Sequence, residues 1–266
     1  MSNRPQYFDE YAAIYDDDFT YSNTGMLQRA QVWRAFNALN LPPQTVLEIN
    51  CGTGEDAILL AQAGHTVTAT DASDSMVLQA QRKAESKQVA ATFIPAAFSE
   101  LRTKVTGATY DLEFSNFGGL NCVGITELQQ LSADLAALLK PGGQLFFVLM
   151  GNNCRWEQLY FLLKGDKQKA FRRKAAEGVP TTIGKAHFTT YFYSPAQFAN
   201  LFAANFTVEK IGPVGLFVPP YYLDPFFKKH PLLLKTLNWL DKLVAKCSLA
   251  ANQADHYVLV LKKKSN

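Results

Sequence analysis

Two glycines and one acid mark the part of the sequence that is best suited to binding a ligand. The run from Val46 to Ala61, VLEINCGTGEDAILLA, reads as a strand, a turn containing Gly52 and Gly54, and a helix. Backbone N–H groups of such a turn can approach a polar ligand closely, because no Cβ atom obstructs them. The next strand ends on Asp71, where a carboxylate suits the hydroxyl donors of an adenosine ribose. The pattern indicates the nucleotide-binding half of a doubly wound sheet.

The loop is not typical of sites that bind pyrophosphate. A dinucleotide fingerprint, G-x-G-x-x-G, started at Gly52 would need its third glycine where Ala57 stands, and the sequence has no Gly-Lys-Ser/Thr phosphate loop. Glu48 and Glu55 would also repel phosphate groups. The pattern therefore favours a cationic adenosine ligand without phosphates.

These residues resemble the class I S-adenosylmethionine-dependent methyltransferases. The family's acid-x-Gly-x-Gly-x-Gly motif stands here as Glu48–Gly54, with Asn50 in place of the first glycine. Asn tolerates a positive φ better than other non-glycine residues, so the turn can be kept and Asn50→Gly should be tolerated. Three further motifs follow in the family's order, at Asp71–Met76, at Tyr110–Leu112 with Ser115–Leu120, and at Leu139–Gly143. The resemblance implies an enzyme that uses S-adenosylmethionine.

The resemblance also implies which residues contact the cofactor. Asp71 is expected to bind the ribose, and Glu48 to order the loop or meet the methionine ammonium group. The family usually holds the adenine amino group with a carboxylate after the third strand, but Pro95–Ser99 contains no acid, so backbone groups near Ala97 and the Phe98 ring would have to substitute. The expected cofactor contacts are Tyr15, Glu48, Asn50, Cys51, Gly52, Gly54, Asp71, Ala72, Met76, Ala97, Phe98, Asn116 and Phe117.

Methyl transfer from a sulfonium depends mainly on alignment and exclusion of water. A metal is unnecessary, and no metal site is expected. A base is needed only where the acceptor has a proton to lose. Of the four histidines, His187 beside Tyr191 is the preferred base, and these two are the predicted catalytic residues. His65, His230 and His256 are expected to be, respectively, a turn residue, a solvated helix start and a structural residue.

The alternation of strand and helix patterns predicts an α/β fold in a single domain, 1–266. We expect a Rossmann-like, doubly wound, seven-stranded and mostly parallel sheet whose last strand is antiparallel. Ser73 is expected to cap one helix, and Thr126 with Gln129 has the spacing of a capping box for another. The expected parts are an N-terminal lid and helix at 1–40, a cofactor-binding core at 41–150, a substrate-side insertion at 151–204, and the last two strands with their connecting helix at 205–266.

Two segments are expected to cover the ligand-binding edge of the sheet. Tyr7, Tyr11 and Tyr15 recur every four residues, either as a packed stripe or as a lid over the cofactor. Of the 33 aromatic residues, 16 lie between positions 151 and 230. This excess favours a small apolar or aromatic methyl acceptor. It is expected to bind between the Tyr7–Tyr15 segment and the insertion from Asn152 to Tyr222.

The insertion itself has a mixed pattern. Two helices are predicted at 155–164 and 167–177, and a strand from His187 to Tyr193. The last two strands are predicted at Phe206–Ile211 and Tyr257–Leu261, with a helix between them from Pro231 to Lys246.

Composition excludes several other classes. A net charge of +3, with scattered basic residues, argues against a nucleic-acid partner. The four cysteines have no C-x-x-C spacing, so neither zinc nor a disulfide framework is indicated. No apolar run has transmembrane length and no signal peptide is recognised, so a cytoplasmic location is expected. The sequence does not predict an oligomeric state.

Two other functions stay open. Residues 226–246 mix apolar side chains with lysines, which fits a peripheral enzyme or a binding protein for a membrane-dissolved quinone or lipid. An ordinary docked helix is preferred for this segment. The other alternative is a non-catalytic, cofactor-binding partner protein.

Overall fold

The computed structural model describes residues 8–10, 12–107, 109–183 and 186–265, with backbone only at 186. Its centre is a seven-stranded sheet in the order β3-β2-β1-β4-β5-β9-β8, and a separate hairpin pairs β6 with β7. The strands are β1 (Thr45–Ile49), β2 (Thr66–Asp71), β3 (Thr92–Pro95), β4 (Tyr110–Ser115), β5 (Leu139–Met150), β6 (Val179–Ile183), β7 (Ala186–Thr190), β8 (Phe206–Val214) and β9 (His256–Lys263).

Helices connect these strands and flank the sheet. They are α1 (Asn23–Asn37), α2 (Glu55–Gln62), α3 (Asp74–Ser86), α4 (Leu101–Lys104), α5 (Ile125–Leu138), α6 (Arg155–Leu163), α7 (Lys167–Ala170), α8 (Pro195–Phe202), α9 (Asp224–Phe227) and α10 (Pro231–Val244). A π-helical turn at Asp16–Thr20 precedes α1, and short 3₁₀ turns lie at Phe98–Glu100, Gly119–Cys122, Arg172–Lys174, Tyr221–Leu223 and Ser248–Gln253.

Strand direction confirms the predicted topology. β1 to β5 are parallel, whereas β9 runs antiparallel to both β5 and β8. Because of this reversal, β9 begins at the edge where the parallel strands end, and His256 pairs with Met150 in register. The carboxyl ends of the parallel strands and the start of β9 therefore face the same crevice.

The core is divided between the two faces of the sheet. Side chains alternate along β1, so Val46 packs with residues of α1, α2 and α3, whereas Leu47 and Ile49 pack with residues of α5 and α8. All three side chains are fully buried. Helices thus cover both faces, as a doubly wound sheet requires.

Of the two helix N-caps predicted from the sequence, one is confirmed and one is wrong. Ser73 does cap α3, since its Oγ accepts the Met76 N–H at 3.1 Å. The capping box predicted at Thr126 is wrong, because α5 begins at Ile125 and the Gly124 N–H donates to Glu127 Oε2 at 3.0 Å.

The insertion also departs from its predicted pattern. The helix predicted over 167–177 is a single α-helical turn followed by the 3₁₀ turn Arg172–Lys174. The strand predicted from His187 is β7, and it pairs with β6, which the pattern did not reveal because Pro180 interrupts it.

Candidate active site

The glycine loop between β1 and α2 has the geometry of a ligand cradle. Asn50 has φ +54° and Gly52 has φ +53°. A Cβ placed on Gly52 would meet no protein atom within 4 Å, so the backbone there faces open space. The Gly52 N–H donates to Asp71 Oδ2 at 2.9 Å, and the Ser73 N–H donates to Asp71 Oδ1 at 2.9 Å. The carboxylate at the end of β2 is therefore held directly beside the loop.

Asn50 does more than tolerate the turn. Its Nδ2 donates to the Asn116 carbonyl at 3.0 Å, and its Oδ1 accepts the Ser115 hydroxyl at 2.6 Å. These bonds tie the loop to the end of β4. Asn50→Gly would relieve the positive φ but lose both hydrogen bonds, so glycine is less neutral there than the turn geometry alone predicts.

Gly54 has a different role from the predicted one. Its φ is +76°, and a Cβ at this position would lie 2.7 Å from the Ala80 Cβ and 3.1 Å from the Phe93 ring. Gly54 lines neither of the two cavities described below. Its missing side chain allows α3 and β3 to pack against the loop and does not leave room for a ligand.

A small polar cavity lies beneath the loop, lined by Tyr15, Arg29, Glu48, Asn50, Cys51, Gly52, Thr53, Glu55, Asp56, Asn116 and Phe117. Arg29 of α1 forms an ion pair with Asp56. Asp56 also accepts the Trp33 indole N–H at 2.8 Å and the Asn116 amide at 2.9 Å. Arg29 could not be identified from a motif, because it lies on α1, outside the four motifs.

Glu48 is a buried acid in this cavity. Its Oε2 makes no hydrogen bond to any residue that the structure describes. Burial raises the pKa of Glu48 well above its usual range, and the nearby Asp56 carboxylate raises it further. A cationic amine at this point would satisfy the unpaired oxygen and favour the charged carboxylate, which suits the ammonium group of a methionine moiety.

A larger cavity of about 760 Å³ opens above the loop. The predicted cofactor contacts on its wall are Tyr15, Asn50, Gly52, Asp71, Ala72, Met76, Ala97, Phe98 and Phe117. Glu48, Cys51 and Asn116 instead line the smaller cavity, which shares Tyr15, Asn50, Gly52 and Phe117 with the larger one. The two cavities therefore meet at the glycine loop.

At the end where an adenine ring is expected, the structure differs from the expectation about Ala97. The Ala97 N–H donates to Glu100 Oε2 at 2.9 Å, so this backbone donor already has a partner. The cavity wall also includes polar side chains of α5 that the sequence analysis did not identify, namely Glu127, Gln130 and Asp134. They are the available groups for the polar edge of an adenine ring.

The far end of the larger cavity is held together by buried charges. Arg173 donates to Asp255 Oδ1 at 2.7 Å and lies 3.0 Å from Glu157 Oε2. Arg172 Nε donates to Glu157 Oε1 at 2.8 Å, and the Tyr222 hydroxyl donates to Glu157 Oε2 at 3.3 Å. Burial would raise the pKa values of Glu157 and Asp255, but the attraction of their cationic partners prevails and holds both below the ordinary range.

His256 lies on this wall, next to the charge cluster. Its Nδ1 is 3.3 Å from Asp255 Oδ2, a contact whose direction does not meet the geometry of a hydrogen bond. Asp255 Oδ2 also accepts the Gln28 amide at 3.1 Å, and the ring of Phe117 packs edge-on against His256 at 5.2 Å. The sequence contained a usable signal, because an antiparallel last strand must start at the ligand-binding edge.

The predicted catalytic pair lies elsewhere. His187 is exposed, its Nδ1 is 3.0 Å from Thr182 Oγ1, and it does not line the cavity. Tyr191 is also absent from the wall; its ring stacks on Tyr193 at 6.4 Å and its N–H donates to the Asn121 carbonyl. Alternation along β7 explains the discrepancy, because the neighbouring Phe188 faces the cavity and His187 faces away. The geometry does not support catalytic roles for these two residues.

The N-terminal segment covers the cavity as a lid would. Phe8, Tyr15 and Phe19 lie on its wall. Asp16 accepts the Thr53 hydroxyl at 2.7 Å and forms an ion pair with Lys83 at 2.6 Å. Asp9 accepts hydrogen bonds from the Ser73 hydroxyl and the Ser75 N–H at the start of α3. Tyr7 and Tyr11, the other members of the predicted stripe, lie outside the described residues.

Comparison with known proteins agrees with the methyltransferase resemblance for the part of the chain that contains the glycine loop. Residues 46–143 match a family described as "Methyltransferase domain". The ubiquinone biosynthesis O-methyltransferase of Coxiella burnetii is 30% identical over 119 residues, or 43% of this chain and 47% of that protein. The malonyl-[acyl-carrier protein] O-methyltransferase of Pseudescherichia vulneris is 32% identical over 110 residues, or 41% and 40%. The matches thus span less than half of the length of these curated relatives.

Solved structures share the whole fold at low identity. The magnesium protoporphyrin IX methyltransferase of Synechocystis PCC 6803, solved with bound SAH, superposes with a TM-score of 0.59 at 17% identity, covering 98% of this chain and 97% of that one. A DhpI–SAH complex gives a TM-score of 0.62 at 16% identity, covering 99% and 96%.

The residues present fit the cofactor of these proteins. The open space over Gly52, the carboxylate of Asp71 beside it and the unpaired oxygen of buried Glu48 suit, in turn, a closely approaching ligand backbone, a ribose and an ammonium group. None of these features depends on the remote similarities. Residues 46–143 match a methyltransferase domain, and the chain as a whole shares its fold with solved structures that contain bound SAH.

Proposed function

We propose that the protein transfers a methyl group from S-adenosylmethionine to an oxygen or nitrogen of a small apolar or aromatic molecule. The observation that carries the proposal is a single cavity of about 760 Å³ that runs from Asp71 to an aromatic wall containing Phe19, Tyr221 and Tyr222. This volume lies within the range of small-molecule sites, and such sites are mostly apolar with a few placed polar groups.

Gly52, Asp71, Glu48 and the α5 side chains would hold the cofactor. When bound, it supplies a methyl group on a positively charged sulfur. An acceptor lone pair would attack the methyl carbon in line with the S–C bond, and that bond would break with its electrons left on the sulfur. The protein's part is to align the acceptor and exclude water, and the lid residues Phe8, Tyr15 and Phe19 are positioned to do so.

His256 is the group that would take a proton from the acceptor. Because its Nδ1 faces Asp255, Nε2 is the nitrogen left to meet a hydroxyl or amine in the cavity. The Asp255 carboxylate, fixed by Arg173 and Gln28, would stabilise the positive charge that His256 gains. As the new O–C or N–C bond forms, the acceptor's proton moves to Nε2. Asp255 is a positioning residue in this scheme.

Cofactor binding is the first test. Calorimetry with S-adenosylmethionine and its demethylated product should show binding near one site per chain. Asp71→Asn should weaken both by about ten- to a hundredfold, since one hydrogen bond to a charged acceptor contributes about 1.5–3 kcal/mol. Heat with NAD but not with either sulfur ligand would overturn the proposal. Binding without turnover on any phenolic, carboxylic or amine acceptor would instead favour the non-catalytic alternative.

The base is tested separately, by turnover on whichever acceptor a screen identifies. His256→Gln should lower kcat by about a hundredfold or more, within the usual range for general-base catalysis, and leave cofactor affinity within about twofold. The defect should shrink as the pH rises and the acceptor ionises on its own. His187→Gln is the matched control and should keep full turnover. A loss in His187→Gln but not in His256→Gln would restore the sequence-based choice of base.

A further inference from the structure

Helix α10 and the turns that flank it form an exposed surface of unusual composition. We define it as the basic-apolar segment, residues 224–249. Its N-terminal turn directly follows Pro220, Tyr221 and Tyr222 of the cavity wall.

One side of α10 is docked. Leu234 packs with Val218 and Phe227, and Asp241 is buried. The Asp241 carboxylate accepts the backbone N–H groups of Leu216, Phe217 and Val218 at 2.8–3.1 Å, and the Gln31 amide at 3.0 Å. These contacts fix which face of the helix turns outward.

The outward face carries a stripe of large apolar side chains. Leu232, Trp239 and Leu243 are separated by seven and four residues, or about two turns and one turn, and therefore lie on one side of the helix. They are 77%, 55% and 64% exposed, and Phe226 of α9 is 56% exposed. A docked helix, the preferred expectation from sequence, would bury such residues; here only the opposite face is docked.

The charges of the segment are sorted by sign. Its five lysines, Lys228, Lys229, Lys235, Lys242 and Lys246, are all exposed. Its two acids, Asp224 and Asp241, are turned inward, where Asp224 accepts the Thr24 N–H at 2.8 Å. Lys235, Lys242 and Lys246 follow one flank of the apolar stripe by their helical spacing.

We propose that the basic-apolar segment binds the surface of an anionic lipid bilayer, with α10 lying in the plane of the interface. Lysines beside a stripe of Leu and Trp are the pattern by which amphipathic helices insert an apolar face while their cations contact lipid phosphates. A second copy of the chain fits less well, since a symmetric contact would place the same five lysines against one another. The described helices include none that could cross a membrane, so contact would be peripheral.

The test is co-sedimentation of the full chain with vesicles of phosphatidylcholine alone or with about a third phosphatidylglycerol. We expect binding to the anionic vesicles that weakens with added salt. Lys235→Gln/Lys242→Gln should reduce partitioning about thirtyfold, since each lysine near an anionic surface contributes about fivefold. Lys104→Gln/Lys167→Gln, two exposed lysines elsewhere, should leave it unchanged.

The apolar stripe needs its own variant. Leu232→Ser/Trp239→Ser/Leu243→Ser should abolish vesicle binding, whereas Leu78→Ser, at a comparably exposed leucine of α3, should not. All variants must bind the demethylated cofactor like the parent, which shows that they are folded. Equal binding to neutral and anionic vesicles, or no binding at all, would overturn the proposal. So would a stripe variant that changes the oligomeric state in sedimentation velocity and leaves vesicle binding intact.

Discussion

Glu113 is a buried carboxyl that takes no part in either cavity. It lies on β4 with no exposed surface, and neither oxygen makes a hydrogen bond to the residues described. Burial raises its pKa well above the usual range, an effect that the attraction of Lys263 only partly opposes. The folded protein therefore holds a proton on Glu113 at pH values where the unfolded chain has lost it.

The raised pKa of Glu113 determines how folding stability changes with pH. Below the unfolded pKa, near 4, Glu113 is neutral in both states and carries no charge penalty. As the pH rises above that value, the unfolded state gains by ionising and folding stability falls. Glu113→Gln should remove this loss and so raise the free energy of unfolding at pH 7.5, where the unfolded glutamate is ionised. Urea denaturation at pH 7.5 and pH 3.5 measures it. A gain of equal size at both pH values would contradict the assignment.

At the scale of elements, the N-terminal segment is connected to the glycine loop and to α3 by polar contacts. Asp16 bonds to Thr53 and Lys83, and Asp9 to the start of α3, so the segment is held on the two elements that form the cofactor site. It contributes aromatic wall to the cavity but only Tyr15 among the expected cofactor contacts.

Deleting residues 1–18 should therefore affect catalysis more than cofactor binding. We expect cofactor affinity to fall by less than about tenfold, or 1.4 kcal/mol, and turnover to fall much further, because water would enter the cavity. Isothermal calorimetry and a turnover assay on the same preparation separate the two effects. Asp9→Ala/Asp16→Ala should reproduce the deletion in milder form; a full-length level of turnover in the deleted chain would show that the segment is not a lid.

The positions of the strands and turns also explain which residues of the site could be predicted from the sequence. The residues expected to contact the cofactor lie at the ends of β1, β2 and β4. Each is part of a local motif, so the sequence identifies Gly52, Asp71 and Asn116. The other part of the cavity wall is built differently: Arg173 and Tyr222 come from two separate 3₁₀ turns, and His256 from the start of β9. Their proximity depends on tertiary packing across about 80 positions, for which no local pattern exists. The placement of His187 outside the cavity wall could not be predicted, because alternation within a hairpin depends on register, which composition does not determine.

At the scale of the whole molecule, one ion network joins separate parts of the chain. Arg173 bridges Glu157 of α6 and Asp255 before β9, and donates to the carbonyls of Gly151 and Asp255. The Asp255 N–H in turn donates to the Gly215 carbonyl after β8. The insertion, the end of β5 and the last two strands are thus connected at one point on the wall of the larger cavity.

This network should control stability as well as the site. Arg173→Met removes the cation and leaves Glu157 and Asp255 buried and unpaired, which costs about 3–5 kcal/mol at pH 7. Arg172→Met is the matched control: Arg172 is less buried than Arg173 and forms its ion pair with Glu157, so its loss should cost about 1 kcal/mol. Thermal or urea unfolding of both variants gives the comparison.

The pH dependence of that loss distinguishes the network from simple packing. Glu157 and Asp255 have lowered pKa values in the folded protein, so their contribution is present above the unfolded pKa near 4 and is lost as the pH falls toward the folded values. Without Arg173 this contribution is absent already at neutral pH. The stability gap between the parent and Arg173→Met should therefore be largest near pH 7 and narrow as the pH falls below 4, where protonation neutralises the stranded carboxylates. A gap that stays constant from pH 7 to pH 3 would mean that Arg173 stabilises the fold through its packing and not through its charge.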